Sequence, residues 1–276
     1  MLMTIKKFAC LCSAVLILCL TSSGICLAQA FLNDVVGMWL FDEGKGDDVR
    51  DSSGNRLHGE FGHKPEFVAG KFGTALQFSG GEQGPWLEMD GPIKMDNVDF
   101  SFGCWIIPGK PQICWATVLS AKDQHEADVG FAFEQSNCLN NWYRLVIGNV
   151  FNWNVIGNPR NTVRPQPEEW NHVAFVRQGR DGIWYLNGEP DRPKRGNFYV
   201  DLGSNAPVKS SRENFRIGNT IFDERRGWKG TLDEVFIFRR ALSQLEVQKI
   251  MEKGLIGAQA VDAKDKIATV WGRVKS

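Results

Sequence analysis

Three tryptophans lie in stretches rich in asparagine and glycine rather than in the alternating pattern of a strand. They are Trp142, Trp153 and Trp228, out of ten tryptophans in the 276-residue chain. An indole ring can stack on the apolar face of a sugar while neighbouring amides bond its hydroxyl groups. Asparagines flank the first two rings at positions 137, 140, 141, 152 and 154. The pattern predicts a saccharide site with Trp142, Trp153, Asn141 and Asn154 as ligand-binding residues. The alternative is that these rings fold back as a satellite of the core.

Other reactive side chains give weaker signals. His125 has Asp123, Glu126 and Asp128 as neighbours, but charge clusters in loops are usually solvated and no second histidine is near in sequence. Neither a nucleophile elbow, nor a phosphate-binding loop, nor the cysteine and histidine spacing of a zinc site occurs. We therefore predict no catalytic residue.

The chain opens with a predicted targeting segment. Lys6 and Lys7 precede an apolar stretch over 8–20, and Ala28-Gln29-Ala30 has the small residues of a cleavage site. This arrangement is typical of a secretory signal peptide over 1–30, with a membrane anchor as the alternative. Cleavage would leave a chain from Phe31 that is secreted to the extracellular space or the periplasm.

The remaining chain is balanced in charge. Lys and Arg total 32, as do Asp and Glu, and removal of Lys6 and Lys7 leaves 30 basic residues against 32 acidic ones. A balanced chain gives no electrostatic reason to bind nucleic acid or anionic lipid. No segment after the first 30 residues is long and apolar enough to span a membrane.

Three of the seven cysteines follow the signal segment, namely Cys104, Cys114 and Cys138. Because these cysteines are three in number, at most one bridge can form within the chain in an oxidising compartment. Cys104 and Cys114 flank the turn Pro108-Gly109-Lys110-Pro111 between two apolar segments, which favours a bridge across a hairpin. Three buried free thiols are the alternative.

Short segments with period-two alternation recur along the chain, separated by Gly, Pro and Asn. The predicted strands are 35–41, 75–78, 86–89, 100–107, 116–120, 130–133, 143–147, 171–177, 182–186, 215–217 and 231–238. Many short strands without intervening long helices predict an all-β antiparallel sandwich. Trp39, Phe41, Phe78, Trp105, Trp170 and Phe236 are expected to fill its core.

One helix is predicted near the C-terminus. Ser243 and Glu246 have the spacing of a capping box, and Gly254 is expected to end the helix. The remaining tail, 255–276, is interpreted as an added strand over 267–274 or a loose end.

Four segments carry a resemblance to a known family. They are GMWLFDEG at 37–44 with DSSGN at 51–55, GKFGTALQF at 70–78, the predicted hairpin from Trp170 to Gly188, and LDEVFIFRRALS at 232–243. In this order they resemble the LamG-like domains of the concanavalin A-like lectin/glucanase superfamily. The resemblance implies a two-sheet jelly roll over 31–254.

The resemblance also allows specific expectations about chemistry. Hydrolases of this fold carry Glu-x-Asp-x-x-Glu on one strand, whereas this chain has Glu126 and Asp128 but Phe131 in the third position. The resemblance therefore implies a binding protein rather than an enzyme. It further implies a structural Ca²⁺ held by the Asp233 side chain and the Gly73 carbonyl.

Two functional classes follow. One is a secreted, non-catalytic glycan-binding or adhesion module whose partner is an extracellular glycan or cell-surface protein. The other is a structural or protein-interaction domain with no small ligand. An open groove at Trp142 and Trp153 favours the first class, and a flat face or covered strand edges favour the second.

Overall fold

In the computed structural model the described residues are 34–95, 99–121, 129–135, 142–148, 162–191, 200–201, 208–221 and 223–274. The strands all lie in one compact unit, Val35–Leu255. A second unit includes the C-terminal stretch from Ile256, which is helical as far as Val274.

The strands in chain order are β1 (Val35–Trp39), β2 (Asp48–Val49), β3 (Gly59–His63), β4 (Glu66–Ala69), β5 (Thr74–Gly81), β6 (Trp86–Met89), β7 (Phe100–Pro108), β8 (Thr117–Ser120), β9 (Phe131–Gln135), β10 (Tyr143–Ile147), β11 (Thr162–Val163), β12 (Asn171–Gln178), β13 (Asp181–Leu186), β14 (Glu189–Pro190), β15 (Val200–Asp201), β16 (Arg216–Ile217) and β17 (Gly227–Phe238). A 3-10 helix covers Glu224–Arg226, and helix α1 covers Gln244–Val274.

Strand pairing forms two antiparallel layers. In sheet A, β17 lies between β7 on one edge and β5 and β1 on the other, and the sheet continues through β12 to β13. Sheet B runs β2, β3, β6, β16, β8, β9, β10 and β11. A single parallel bridge between Gly227 and Thr117 links the layers into one bonded set. The predicted antiparallel sandwich is confirmed.

Aromatic side chains fill the space between the layers. Phe102 has its ring centroid 5.6 Å from those of Phe131 and Phe133, and 5.9 Å from those of Phe175 and Trp184. These rings come from strands of both sheets, so each sheet buries its apolar face against the other. The cluster is the centre of the core.

Half of the predicted core residues lie elsewhere. Trp39, Phe41 and Phe78 pack in the core as expected. Trp105 and Phe236 are buried, but their neighbours in sequence point into the core, so these two rings lie on the opposite face of sheet A. Trp170 is only half-buried. The inward direction of these three side chains was therefore predicted wrongly.

Asn187-Gly188 and the start of α1 each have the local structure that is typical of their sequence. Asn187 and Gly188 form a tight turn between β13 and β14, with φ of 52° and 77°. At the start of α1 the Ser243 backbone N–H donates to Glu246 Oε2 over 2.8 Å, and the Glu246 N–H donates to Ser243 Oγ over 3.3 Å. This is the predicted capping box.

The predicted end of the helix is only partly right. Gly254 has non-helical dihedrals, φ 70° and ψ 171°, so it does interrupt α1. The helix resumes after the interruption and continues to Val274. The interpretation of the tail as an added strand is therefore wrong.

The predicted Cys104–Cys114 bridge is also wrong. Cys104 is a buried free thiol whose pKa is raised by burial and by nearby Asp233, whereas Cys114 is disulfide-bonded to a partner outside the described residues. The expected hairpin does not form, because β12 and β17 occupy the two edges of β7 and the next strand, β8, belongs to sheet B.

We expect Cys138 to be the partner of Cys114, because it is the remaining cysteine after the predicted signal segment. Peptide mapping of exported protein without reduction should give Cys114 linked to Cys138, Cys104 free, and Phe31 at the N-terminus. Recovery of Cys114 as a free thiol, or linked to Cys104, would contradict this pairing.

Candidate functional site

The outer face of sheet B is lined with charged side chains. Because directly paired residues point to the same side of a sheet, Thr117, Glu134, Arg144 and Thr162 form one row across β8 to β11. A second row crosses β3, β6, β16 and β8 through Glu60, Glu88, Arg216 and Ser120. We call these two rows and the side chains bonded to them the polar face.

Glu134 is the most buried acid of the polar face. Its Oε1 accepts from Arg144 Nε over 3.0 Å and from Arg144 Nη2 over 2.6 Å. Arg226 Nη1 lies 3.7 Å from the other oxygen, Oε2. The carboxylate is thus held between two guanidinium groups with little freedom to move, and such charge-assisted bonds are among the stronger ones in proteins.

A second ion-pair network lies along the other row. Arg216 Nε donates to Glu88 Oε2 over 2.5 Å, and its guanidinium lies 5.0 Å from the centre of the Trp86 ring. Arg216 Nη1 also approaches Glu224 at 3.4 Å. Both rows therefore present fixed donors and acceptors rather than free charged chains.

Two tryptophans flank the Glu134 row. Trp115 is 45% exposed, and the Arg226 guanidinium lies 5.4 Å from its ring centre. Trp142 precedes β10 and is half-buried, with the Arg164 guanidinium 3.9 Å from its ring centre. An exposed indole beside a rigid acid–guanidinium pair combines an apolar platform with directed hydrogen-bonding groups.

The structure brings together only part of the predicted saccharide site. Trp142 lies at the edge of the polar face. Asn141, Trp153 and Asn154 lie outside the described residues. Trp228 is fully buried in β17, where its Nε1–H donates to the Tyr143 hydroxyl over 2.9 Å. This third loop tryptophan is therefore a core residue.

A turn at 70–73, between β4 and β5, lies against two carboxylates. Asp233 Oδ2 accepts from the Phe72 N–H over 2.9 Å, and Asp42 Oδ1 accepts from the Thr74 N–H over 2.9 Å. Gly73 has φ of 55°, and a Cβ there would lie 1.9 Å from Asp42 Oδ1, so a larger residue would strain the turn and displace the Asp42 carboxylate. We call Asp42, Asp233 and this turn the acidic turn.

The acidic turn is electrostatically unusual. Burial, reinforced by the Asp42 charge, raises the pKa of Asp233 to about 7 despite hydrogen bonds from the turn. Burial likewise raises the pKa of the adjacent Glu234 to about 7. Asp233 Oδ1 is buried without a hydrogen-bond partner among the described residues. A buried carboxylate oxygen without a donor is costly, and a cation would compensate it.

The residues present fit a cation of the calcium type in part. Two carboxylates and the Gly73 carbonyl are oxygen donors of the kind that Ca²⁺ prefers. The Gly73 carbonyl already accepts from the Gly70 N–H over 3.0 Å. Within the described ranges no group of three or more acidic, histidine or cysteine side chains is arranged to hold a metal ion. A calcium site here would therefore need further carbonyl or water ligands.

Of the three positions of the hydrolase motif, Phe131 is the one that lies within the described residues. Phe131, which stands where such enzymes have their second glutamate, is fully buried and packs against Phe100 and Phe102. Glu126, Asp128 and His125 lie outside the described residues. His172 is buried against Trp105, and burial lowers its pKa to about 3, in line with a packing role.

Sequence reasoning missed Trp115, Glu134, Arg144 and Asp42. Trp115 follows a Pro- and Gly-containing turn, a context comparable to that of the predicted loop tryptophans, and could have been included with them. Glu134 and Arg144 become neighbours only through the pairing of β9 with β10. Asp42 directly follows the first predicted strand, and nothing in the sequence ties it to Asp233.

Comparison with known families gives one match. The profile described as the concanavalin A-like lectin/glucanases superfamily, of laminin G type, matches residues 81–248, more than half of the chain. No curated protein sequence matches the chain.

Solved structures share the fold at low identity. Domain 4 of an extracellular GH43 arabinanase from Geobacillus stearothermophilus, in complex with arabinotriose, is 19% identical with a TM-score of 0.52, over 79% of this chain and 98% of that one. The binding domain of botulinum neurotoxin serotype G is 12% identical with a TM-score of 0.54, over 79% of this chain and 50% of that one. Trypanosoma rangeli sialidase in complex with sialic acid is 16% identical with a TM-score of 0.55, over 82% of this chain and 34% of that one. The chain thus spans about half of the toxin domain and a third of the sialidase.

Proposed function

The chain belongs to the concanavalin A-like lectin/glucanases superfamily, and on that premise we propose that it is a secreted, non-catalytic carbohydrate-binding module. The ligand would be an extracellular glycan bound on the polar face. Fold alone does not decide between lectin and hydrolase roles, so the proposal depends on this chain's own side chains.

The observation that carries the proposal is the arrangement around Trp115. Its indole is 45% exposed beside Arg226, which also approaches the buried Glu134. A sugar ring stacked on the indole would have fixed donors and acceptors within reach, without the cost of ordering them on binding. Trp142 offers a second ring on the same face.

The burial of Phe131 supports a non-catalytic role. Its side chain is part of the core, so the strand has no acid at the position where hydrolases of this fold need one. Glycoside hydrolysis requires two carboxyl groups, which lie about 5 Å apart in a retaining enzyme and further apart in an inverting one.

Calcium enters the proposal as a structural ion at the acidic turn. Asp233, Asp42 and the Gly73 carbonyl would hold it, and the ion would neutralise the buried Asp233 carboxylate. The support is the unpartnered Asp233 Oδ1 and the close fit of the turn around both acids. The ion would fix the turn rather than contact the glycan.

Export is proposed from the charged and apolar start of the sequence and its small-residue cleavage site. In the part of the chain that the structure describes, no helix has the length and apolar character needed to cross a membrane.

Trp115→Ala should weaken glycan binding by about tenfold or more, since losing a stacking contact of about 1.4 kcal/mol corresponds to that factor. The melting temperature should stay nearly unchanged because the ring is half exposed. The measurement is a glycan-array screen of the mature protein, followed by calorimetric titration with the best ligand. Leu245→Ala, at an exposed apolar residue of α1, is the matched control and should leave affinity unchanged.

The second functional class makes a different prediction. If the protein is a structural or protein-interaction domain, no glycan on the array binds, and Trp115→Ala affects only association with a protein partner. Equal affinity of Trp115→Ala and the unmodified protein would exclude the polar face as the glycan site.

A further inference from the structure

We propose that a cleft on the outer face of sheet A is a second saccharide-binding site, specific for a short neutral oligosaccharide. The cleft has a volume of about 460 Å³. Its floor is formed by β5, β17 and β7, and Pro65, Pro85 and Pro108 form part of its walls. It lies on the side of the sandwich opposite to the polar face.

Strand alternation shows that the floor faces away from the core. Leu76 and Phe78 of β5 and Leu232 of β17 belong to the core, so Gln77 and Thr231 between them point outward. Thr231 pairs with Gln77 on one side and with Ile107 on the other. The three side chains therefore form a continuous row across the cleft.

The floor carries hydrogen-bonding groups that the protein itself does not use. The side chains of Gln77, Ser79 and Thr231 have no hydrogen-bond partner among the described residues. Thr231 is 6% exposed as a whole residue and lines the cleft between Gln77 and Ile107. Polar groups at the bottom of a cleft that bond nothing in the protein are available to a ligand.

The charged groups around the cleft are balanced. Lys64 is paired with Asp47 at 2.8 Å, and Lys229 Nζ donates to the Lys110 carbonyl over 2.9 Å. Glu66 and Glu168 have no cationic partner in the described part of the chain. With two lysines and two glutamates lining it, the cleft offers both donors and acceptors and no net charge.

This combination favours a ligand with many hydroxyl groups. A hydroxyl can donate to a glutamate and accept from an amide or ammonium, whereas an anion would be repelled by the two glutamates and a metal ion cannot donate or accept a hydrogen bond. Ile107 and the prolines give apolar contacts for the C–H faces of a sugar ring. A volume of about 460 Å³ lies in the range that holds a small organic ligand, so the cleft suits a short oligosaccharide.

If the protein is the glycan-binding module proposed above, a second site would let one copy bind two glycans at the same time. Sites on opposite faces of one sandwich cannot serve one ligand molecule. They would instead allow one copy of the protein to bridge two glycan chains, and avidity on a dense glycan surface would exceed either affinity alone.

The test is nuclear magnetic resonance of the ¹⁵N-labelled mature protein, titrated separately with cellotriose, xylotriose and triacetylchitotriose at millimolar concentration. At least one trisaccharide should shift the backbone amides of Gln77 and Thr231 in a saturable manner. The double substitution Gln77→Ala and Ser79→Ala should weaken this binding about thirtyfold, because two hydrogen bonds of about 1 kcal/mol each are lost. Both residues are exposed, so the fold should be kept.

Glu252→Ala, at an exposed position of α1, is the matched control and should leave the titration unchanged. Trp115→Ala should also leave the cleft shifts unchanged, which separates this site from the polar face. The proposal is overturned if none of the three sugars shifts the cleft amides, or if the shifts survive the double substitution. If glycans bind the cleft but not the polar face, the cleft amides will shift while the Trp115 resonance stays unchanged.

Discussion

Replacing Phe102 with alanine should lower the free energy of unfolding by about 3–5 kcal/mol, the range for a fully buried aromatic ring. Phe102 is the common neighbour of Phe131, Phe133, Phe175 and Trp184, so its removal leaves a cavity that rings from both sheets surround. Those rings are fixed on paired strands and cannot collapse into the space. Urea denaturation of the mature protein measures the change.

Phe61→Ala is the matched control. Phe61 lies on β3 at the margin of the core, where its ring contacts Phe67 at 6.1 Å and remains partly exposed. Its loss should cost about 1 kcal/mol, since less area is buried and no closed cavity forms. Equal losses in the two variants would show that the core is not centred on Phe102.

Calcium should reverse the stability order of the unmodified protein and Asp233→Asn. In chelator at pH 8 the buried Asp233 is ionised without a cation to compensate its charge, so the neutral asparagine should unfold at the higher temperature. In calcium at about one hundred times its dissociation constant, the unmodified protein should gain about 2.7 kcal/mol and the variant little. Thermal unfolding with and without calcium measures both effects.

The pH dependence has a defined sign. Because the pKa of Asp233 is about 7 when folded and 3.8 when unfolded, the folded chain binds more protons between these values. The free energy of unfolding due to this group therefore falls as pH rises from about 4 to about 7. His172 acts oppositely, since its pKa falls from 6.5 to about 3 on folding and stability is lost as pH falls through that range.

His172 contributes equally to the free energy of unfolding of the unmodified protein and of Asp233→Asn, so its contribution cancels when the two are compared. In chelator the advantage of the variant should be present at pH 8 and shrink towards pH 5. Asp47→Asn is the control, because Asp47 is at the surface and its side chain is 93% exposed. A calcium effect that persists in Asp233→Asn would remove the acidic turn from consideration.

Most of the fold could be predicted from local pattern. Period-two alternation predicted β6 and β10 at their observed bounds, because every second residue of each strand is buried. It missed β3 and β4, because β3 has a single buried residue and β4 has none. Alternation also assigned Trp105 to the core, since it reports that a side chain is buried and not which side of the sheet buries it.

The candidate sites depended on pairing that the sequence does not display. The Cys104–Cys114 prediction assumed that consecutive strands form a hairpin, yet β7 and β8 lie in different sheets. The same property hides Glu134, Arg144 and Arg226, which meet on the polar face only after folding. Residues within one turn, such as the capping box of Ser243 and Glu246, could be predicted correctly because their contacts are local.

The most direct test of glycan binding on the polar face is the indole N–H spectrum of the mature protein during titration with its best array ligand. We predict a saturable shift of the Trp115 indole resonance and, with it, a shift of the Trp142 resonance. The buried indoles of Trp39 and Trp228 serve as internal controls and should not move. Saturable binding that leaves Trp115 unshifted, or an array on which no glycan binds, would contradict glycan binding on the polar face.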